Sequence, residues 1–258
     1  MQLEHVRTFL LDLDGTVYLG ETLFSWSLPF LSHVVETGRS FVFVTNNSSR
    51  SGDYYVRKLQ GLQIPADRRS VFTSGDATIH YLKKHSVGPR IALIGTPSLE
   101  EEFSAAGFEL RCDLPDALVL GFDMTMTYEK MKTACTLVRQ GVPYYATHPD
   151  FNCPTPEGPI PDIGAMIAFI EAATGARPKI IGKPYPEMVE ALCAQRGLDP
   201  GQLCMIGDRL YTDIAMGQSA GITTVLVLSG ETKKDDLQGS PYRPDYIAQD
   251  LSDVTPWL

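Results

Sequence analysis

The chain has 258 residues, of which 43% are hydrophobic and 21% charged, and its 22 basic and 31 acidic side chains give a net charge of −9. At about 100–200 residues per domain that length fits one large α/β unit or two modest ones, with a core that needs no disulfide staples. The composition argues against disorder, the dispersed acidic excess against a nucleic-acid face or a polybasic membrane patch, and no apolar run reaches the roughly 18 residues of a membrane span.

Short apolar, β-branched runs alternate along the chain with longer amphipathic stretches. In chain order the pattern predicts a strand over 8–11, a helix over 29–36, a strand over 41–45, helices over 51–60 and 76–84, and a strand over 91–94. It continues with a helix over 97–105, a strand over 117–120, a helix over 128–140, a strand over 144–146 and helices over 163–174 and 186–195. A strand over 203–206, a helix over 212–218 and a strand over 223–228 complete it. Near-continuous apolar strands between helices indicate buried parallel strands in α/β layers. The stretch 149–161 (PDFNCPTPEGPIP) reads as a long, shaped loop. Five cysteines, an odd number without CxxC spacing, read as reduced thiols of a cytoplasmic protein. The opening MQLEHVRTFLLDLDG, with acidic residues around a very short apolar run, does not read as a signal peptide.

Four polar clusters each close a strand or strand-like segment. The first run ends in Asp12-Leu13-Asp14-Gly15-Thr16. If the extended conformation persists, Asp12 and Asp14 point the same way at the edge where α/β sheets place active sites. Two such carboxylates repel unless a cation joins them, and hard oxygen ligands suit Mg²⁺; an Asx-turn or helix cap is the plainer reading. The second run ends in Thr45-Asn46-Asn47-Ser48-Ser49. These residues fit either a turn with a helix cap or a set of hydroxyl, amide and backbone donors for anionic oxygens. Gly182-Lys183-Pro184 is no P-loop, and its lysine is either a surface residue or an ammonium held over the strand ends. The fourth cluster, Gly207-Asp208-Arg209-Leu210-Tyr211-Thr212-Asp213, repeats the strand-then-Asp pattern, and Asp213 also suits a helix cap.

This order, DLDGTVYLG, VTNNSSRS, GKPYPEM and GDRLYTDI, resembles the haloacid dehalogenase-type phosphohydrolases. It resembles in particular the branch containing nucleotide, 4-nitrophenyl phosphate, phosphoglycolate and pyridoxal phosphate phosphatases. Spacing adds independent support. Thr45 lies 31 positions after Asp14 and Asp208 lies 25 after Lys183, one helix and return each, whereas 138 positions separate Thr45 from Lys183. The surplus is an insert. The expected fold is therefore α/β: a Rossmann-like parallel core formed by 1–75 and 182–258, with an inserted α/β cap over 76–181.

The resemblance implies a Mg²⁺-dependent phosphatase acting on a small phosphorylated metabolite. Asp12 is then the nucleophile that forms an aspartyl-phosphate, and Asp14 the general acid and base. Mg²⁺ is held by the Asp12 carboxylate, the Asp14 backbone carbonyl and Asp208. Lys183, Thr45, Asn46 and Thr16 bind phosphoryl oxygens, and Asp213 orients the site from behind. The Asn47 and Arg209 side chains either touch the substrate or shape their loops. The loop over 148–162 and the residues near Gly164 are candidates for the leaving group, with His148 read more readily as an ordinary polar residue. His80 and His85, five apart, do not form a metal pair. Related capped enzymes also suggest a homodimer formed through the cap, with no nucleic-acid or membrane partner. A phosphotransferase or phosphomutase using the same intermediate is the alternative enzyme, and a non-catalytic phosphometabolite-binding module the alternative from another class. Asp14 disfavours a dehalogenase, and the absence of GxGxxG after the first strand disfavours a nicotinamide enzyme.

Overall fold

The structure, a computed structural model, describes residues 2–110, 112–155 and 157–258, so Pro156 of the Pro/Gly-rich stretch lies outside the described residues. Two compact units form. The first contains the chain up to Thr45, Gly52–Phe72 and Lys183–Leu258, and the second contains Asn46–Ser51 and Thr73–Gly182.

The first unit is built on a six-stranded sheet. Its order across the sheet is Tyr246–Ala248, Thr223–Val227, Leu203–Gly207, Thr8–Leu11, Ser40–Thr45 and Val71–Thr73. Pairing is parallel from Thr8–Leu11 to both neighbours and outward to Tyr246–Ala248. Counted in its own chain order the sheet runs 3-2-1-4-5-6, so the order reverses at Thr8–Leu11, where open α/β sheets bind ligands. All four residues of that strand are buried, as expected of a parallel strand covered on both faces. Alternation then divides the core. Phe9 and Leu11 pack in one cluster with Phe30, Phe43, Ile206, Val225 and Val227, while Leu226 on the opposite parity packs with Leu210 and Ile214. The Phe9 and Phe30 rings meet edge to face at 5.8 Å, and each buried ring contributes about 1.5–3 kcal/mol.

The second unit has a four-stranded parallel sheet ordered Lys179–Ile180, Tyr144–Ala146, Ala117–Leu120 and Ile91–Ile94. Helices Tyr128–Arg139 and Ile163–Thr174 cover one face through Met131, Ala134, Ile163, Ile167 and Ile170. Helices Ser74–Lys84 and Pro97–Ala105 cover the other through Leu82, Leu99 and Phe103. Each has an N-cap the sequence supplies: Thr73 with Asp76 in a capping box, and Thr96, Thr127 and Asp162. The segment Asn46–Ser51 is tied into this unit rather than serving as a simple turn. The Ser48 hydroxyl accepts the Phe122 N–H at 2.9 Å and bonds to the Thr147 hydroxyl at 2.8 Å, and Thr96 donates to the Ser49 carbonyl at 2.9 Å.

In the two parallel sheets the pattern misses Val71–Thr73, Lys179–Ile180 and Tyr246–Ala248, and outside them the two-residue strands Tyr18–Leu19, Thr22–Leu23, Asn152–Cys153 and Ile160–Pro161. So few residues carry little readable period, and their conformation comes from the neighbouring strand. The helix expected from Thr212 starts differently. Leu210–Ile214 is a π turn that leads into the α-helix Ala215–Ala220, and the cause lies in Asp213.

Candidate active site

The register of the first unit's sheet brings the motif residues to one edge. Leu11 pairs with Ile206 and with Phe43, and the Asp12 N–H extends the ladder by donating to the Ile206 carbonyl at 3.0 Å. Asp12 therefore stands beside the turn at Gly207-Asp208 and beside the end of the strand carrying Thr45. Gly15, at φ +90°, turns the chain sharply after Asp14. The Asp14 side chain accepts the Gly20 N–H at 3.2 Å.

Lys183 is buried and its ammonium donates to an Asp12 carboxylate oxygen, to Asp213 Oδ1 at 2.7 Å and to the Val44 carbonyl at 3.4 Å. The surface reading of this lysine is thereby set aside. Asp213 is also fully buried, and its second oxygen accepts the Arg209 backbone N–H at 3.2 Å. This back-turned carboxylate explains the wide π turn, since Asp213 must reach both Lys183 and the start of its own segment. Gly207 makes room for it, because a Cβ there would lie 2.3 Å from Asp213 Cγ.

Carboxylate oxygens of Asp12, Asp208 and Asp213 lie within 4.8 Å of one another. Burial pushes the Asp208 carboxyl up to about 8, and the Asp12 and Asp213 charges add to the effect. Burial likewise lifts Asp213 to about 6, with Lys183 opposing and Asp12 reinforcing. For Lys183 burial works against the charge, and Asp12 and Asp213 overcome it, holding the ammonium above the ordinary lysine range. Burial raises Asp14 above the usual carboxylate range, against Lys58 and with the Asp12 charge. One lysine cannot neutralise three carboxylates this close, so Asp208 holds its proton into the neutral range, a place a cation would take.

The donor set fits a hard divalent ion. Asp208 Oδ2 accepts the Glu231 N–H at 2.6 Å, whereas the buried Oδ1 has no hydrogen-bond partner among the described residues. Oxygen ligands of this kind suit Mg²⁺. The buried hydroxyls of Thr16 and Thr212 also have no hydrogen-bond partner among the described residues; the first belongs to the Asp12 motif and the second to the motif around Asp208.

Thr45 closes its strand nearly buried, and Asn46 follows it in the chain as the first residue of the second unit. The Asn46 Nδ2 donates to Asp150 Oδ2 at 3.0 Å. Asn47 forms an Asx turn, accepting from the Ser49 N–H at 2.9 Å and the Ser49 hydroxyl at 2.7 Å. Arg209 pairs through Nε with Glu231 at 2.9 Å. His148, an ordinary polar loop residue in the sequence reading, is fully buried in the second unit between Asp150 at 3.5 Å and Asp162 at 3.7 Å. The His85 ring packs on Tyr81 at 4.2 Å rather than pairing with His80. Sequence reasoning missed the turn at 229–232, whose backbone holds Asp208; it has no charged signature beyond Glu231.

A family model for haloacid dehalogenase-like hydrolases matches residues 9–109, and a second, HAD-hydrolase-like, matches residues 180–254. An acid sugar phosphatase from Staphylococcus aureus is 32% identical over 253 residues, covering 98% of this chain and 98% of that protein. The structure of a 4-nitrophenylphosphatase from Thermotoga maritima has a TM-score of 0.95 and 44% identity, over 99% of this chain and 98% of that one. A glycerol phosphate phosphatase from Mycobacterium tuberculosis, solved in complex with magnesium, has a TM-score of 0.90 and 32% identity, over 98% of this chain and 78% of that one. With 98% of its length matched at 32% identity, the chain belongs to the haloacid dehalogenase-like hydrolase family and is a phosphoric monoester hydrolase.

Proposed function

We propose that this enzyme is a Mg²⁺-dependent phosphatase that hydrolyses a small phosphomonoester through an aspartyl-phosphate on Asp12. The observation that carries the reading is the buried meeting of Asp12, Asp208 and Asp213 around Lys183 at the strand ends. The magnesium bound by the glycerol phosphate phosphatase supports it.

Lys183 holds the Asp12 carboxylate aligned for attack on phosphorus. As the new P–O bond forms and the ester P–O bond breaks, Asp14 gives its proton to the departing oxygen. In the second step Asp14 takes a proton from water, which attacks phosphorus and releases Asp12. Lys183 moves part of its hydrogen bonding onto the phosphoryl oxygens, with the Thr16 and Thr45 hydroxyls and the Asn46 backbone N–H as neutral donors. Committing the Asn46 carboxamide to Asp150 fits a role for its backbone rather than its side chain. Asp213 holds Lys183 from behind. Mg²⁺, bound by the Asp12 carboxylate, the Asp14 carbonyl and Asp208 Oδ1, would neutralise charge on the phosphoryl group. The insert over 76–181 carries the loop at 148–162, the part of the chain we assign to choosing among phosphate esters.

The test is phosphate release from sugar phosphates, nucleotides, phosphoglycolate and pyridoxal phosphate, with and without chelator. Activity on at least one ester is expected to vanish with EDTA and return with Mg²⁺; full turnover in metal-free enzyme would overturn the metal assignment. A pH dependence follows from Asp14. Its carboxyl is raised by burial, so the protonated acid survives to higher pH than a free carboxyl and kcat/KM falls as pH climbs through the raised value. Asp14→Asn is expected to remove that limb and to cost about 10²–10⁴-fold with an alkyl phosphate. It should cost much less with 4-nitrophenyl phosphate, whose leaving group needs little protonation. Equal losses on both substrates would refute the proton-donor role.

A further inference from the structure

We infer that the turn at residues 229–232 is a strap that fixes the Asp208 carboxylate and thereby sets cation affinity, with Gly230 and Glu231 as positioning residues. The inference rests on the reading that Asp208 holds Mg²⁺. Five contacts converge there, all within the first unit. The Glu231 N–H donates to Asp208 Oδ2 at 2.6 Å, and the Thr232 N–H to the Asp208 carbonyl at 3.2 Å. The Ser229 hydroxyl donates to the Gly15 carbonyl at 2.7 Å, joining the strap to the loop that follows Asp14. The Glu231 side chain accepts from the Tyr211 hydroxyl at 2.6 Å and pairs with Arg209 Nε at 2.9 Å, hooking the strap to the loop after Asp208.

The fit is steric as well as polar. A Cβ on Gly230 would lie 2.0 Å from Asp208 Oδ2, and one on Gly15 would lie 2.4 Å from the same oxygen. The carboxylate is therefore clasped between two glycines with Oδ2 committed to a backbone donor. That leaves Oδ1, buried and without a hydrogen-bond partner among the described residues, as the available ligand atom. A carboxylate free to rotate would have to be ordered on binding, whereas this one is ordered beforehand. Partners of this kind behind a metal ligand are worth about 10–100-fold in affinity.

The experiment measures Mn²⁺ binding to the full chain by electron paramagnetic resonance and isothermal calorimetry, with metal-free thermal unfolding to check each variant's fold. Gly230→Ala and Glu231→Ala are expected to weaken Mn²⁺ binding by about tenfold or more. Glu231→Gln should lose less, because its amide oxygen still accepts from Tyr211. At saturating metal, KM for the phosphate ester should stay near wild type. Asp208→Asn separates the two readings. If it binds Mn²⁺ as wild type does, the metal assignment fails. If it loses binding while Glu231→Ala keeps it, the strap inference alone fails. Should Gly230→Ala not fold, Glu231→Ala decides, since that side chain is 48% exposed and supports no core packing.

Discussion

Asp12→Asn is expected to reduce phosphate release by about 10⁴-fold or more, equivalent to about 5.5 kcal/mol of barrier. The substitution keeps the shape of the side chain and one oxygen that can accept from Lys183 Nζ. What it removes is the negative charge that makes the oxygen a nucleophile towards phosphorus. Loss of fold would give the same kinetic result, so stability must be measured beside it. Here the electrostatics separate the two. The Asp12 charge raises both Asp208 and Asp213, so its removal relieves like-charge repulsion, while Lys183 keeps Asp213 at 2.7 Å. Thermal unfolding of the variant should therefore stay close to wild type. A stable variant with near-normal turnover would exclude Asp12 as the nucleophile.

The parts of this site that were legible in the sequence share a physical cause. Asp12, Thr45 and Asp208 each terminate a run of buried apolar residues, and parallel register brings such terminations to one edge. Lys183 was legible only as a conditional, since two residues of strand, Lys179–Ile180, precede it. Its burial depends on carboxylates 171 and 30 positions away, which no local pattern reveals. The strap is harder still. Gly230 acts through missing side-chain volume and Glu231 partly through its backbone N–H, neither of which has a distinctive letter, while the Ser229 and Glu231 side chains meet partners far away in the sequence. Asn46 teaches the opposite lesson. A residue that reads as an anion donor spends its carboxamide on Asp150, so a motif's side chain and its backbone can serve different ends.

The acidic balance of the chain also gains a local meaning. A net charge of −9 is unpromising for an anionic substrate, and the cluster of three aspartates deepens the difficulty. The same aspartates supply the negative charge that would attract a divalent cation strongly enough to reverse the local sign. Burial first, and then the Asp12 and Asp213 charges, push Asp208 up to about 8, and a bound cation would offset the part that comes from like-charge repulsion.

Lys183→Ala should damage both stability and catalysis, and a second substitution can pull the two effects apart. Removing one partner of a buried ion pair costs about 3–5 kcal/mol, because the other charge is left without compensation. Asp213, already lifted to about 6 by burial despite Lys183, would rise further without it. A carboxyl whose folded value exceeds its unfolded value loses stability as pH rises between the two. The variant's deficit should thus be larger at pH 8 than at pH 5. Lys183→Ala combined with Asp213→Asn removes the ammonium and its fully buried partner, leaving only the less buried Asp12 without it, and is expected to recover part of the lost stability, since deleting a buried pair is often nearly neutral. Turnover should not recover. The ammonium neutralises phosphoryl oxygens in the transition state, and its loss is expected to cost about 10³-fold, or about 4 kcal/mol, in either background. If the double variant regained activity along with stability, Lys183 would be a structural counter-ion for Asp213 and the phosphate would need another cation.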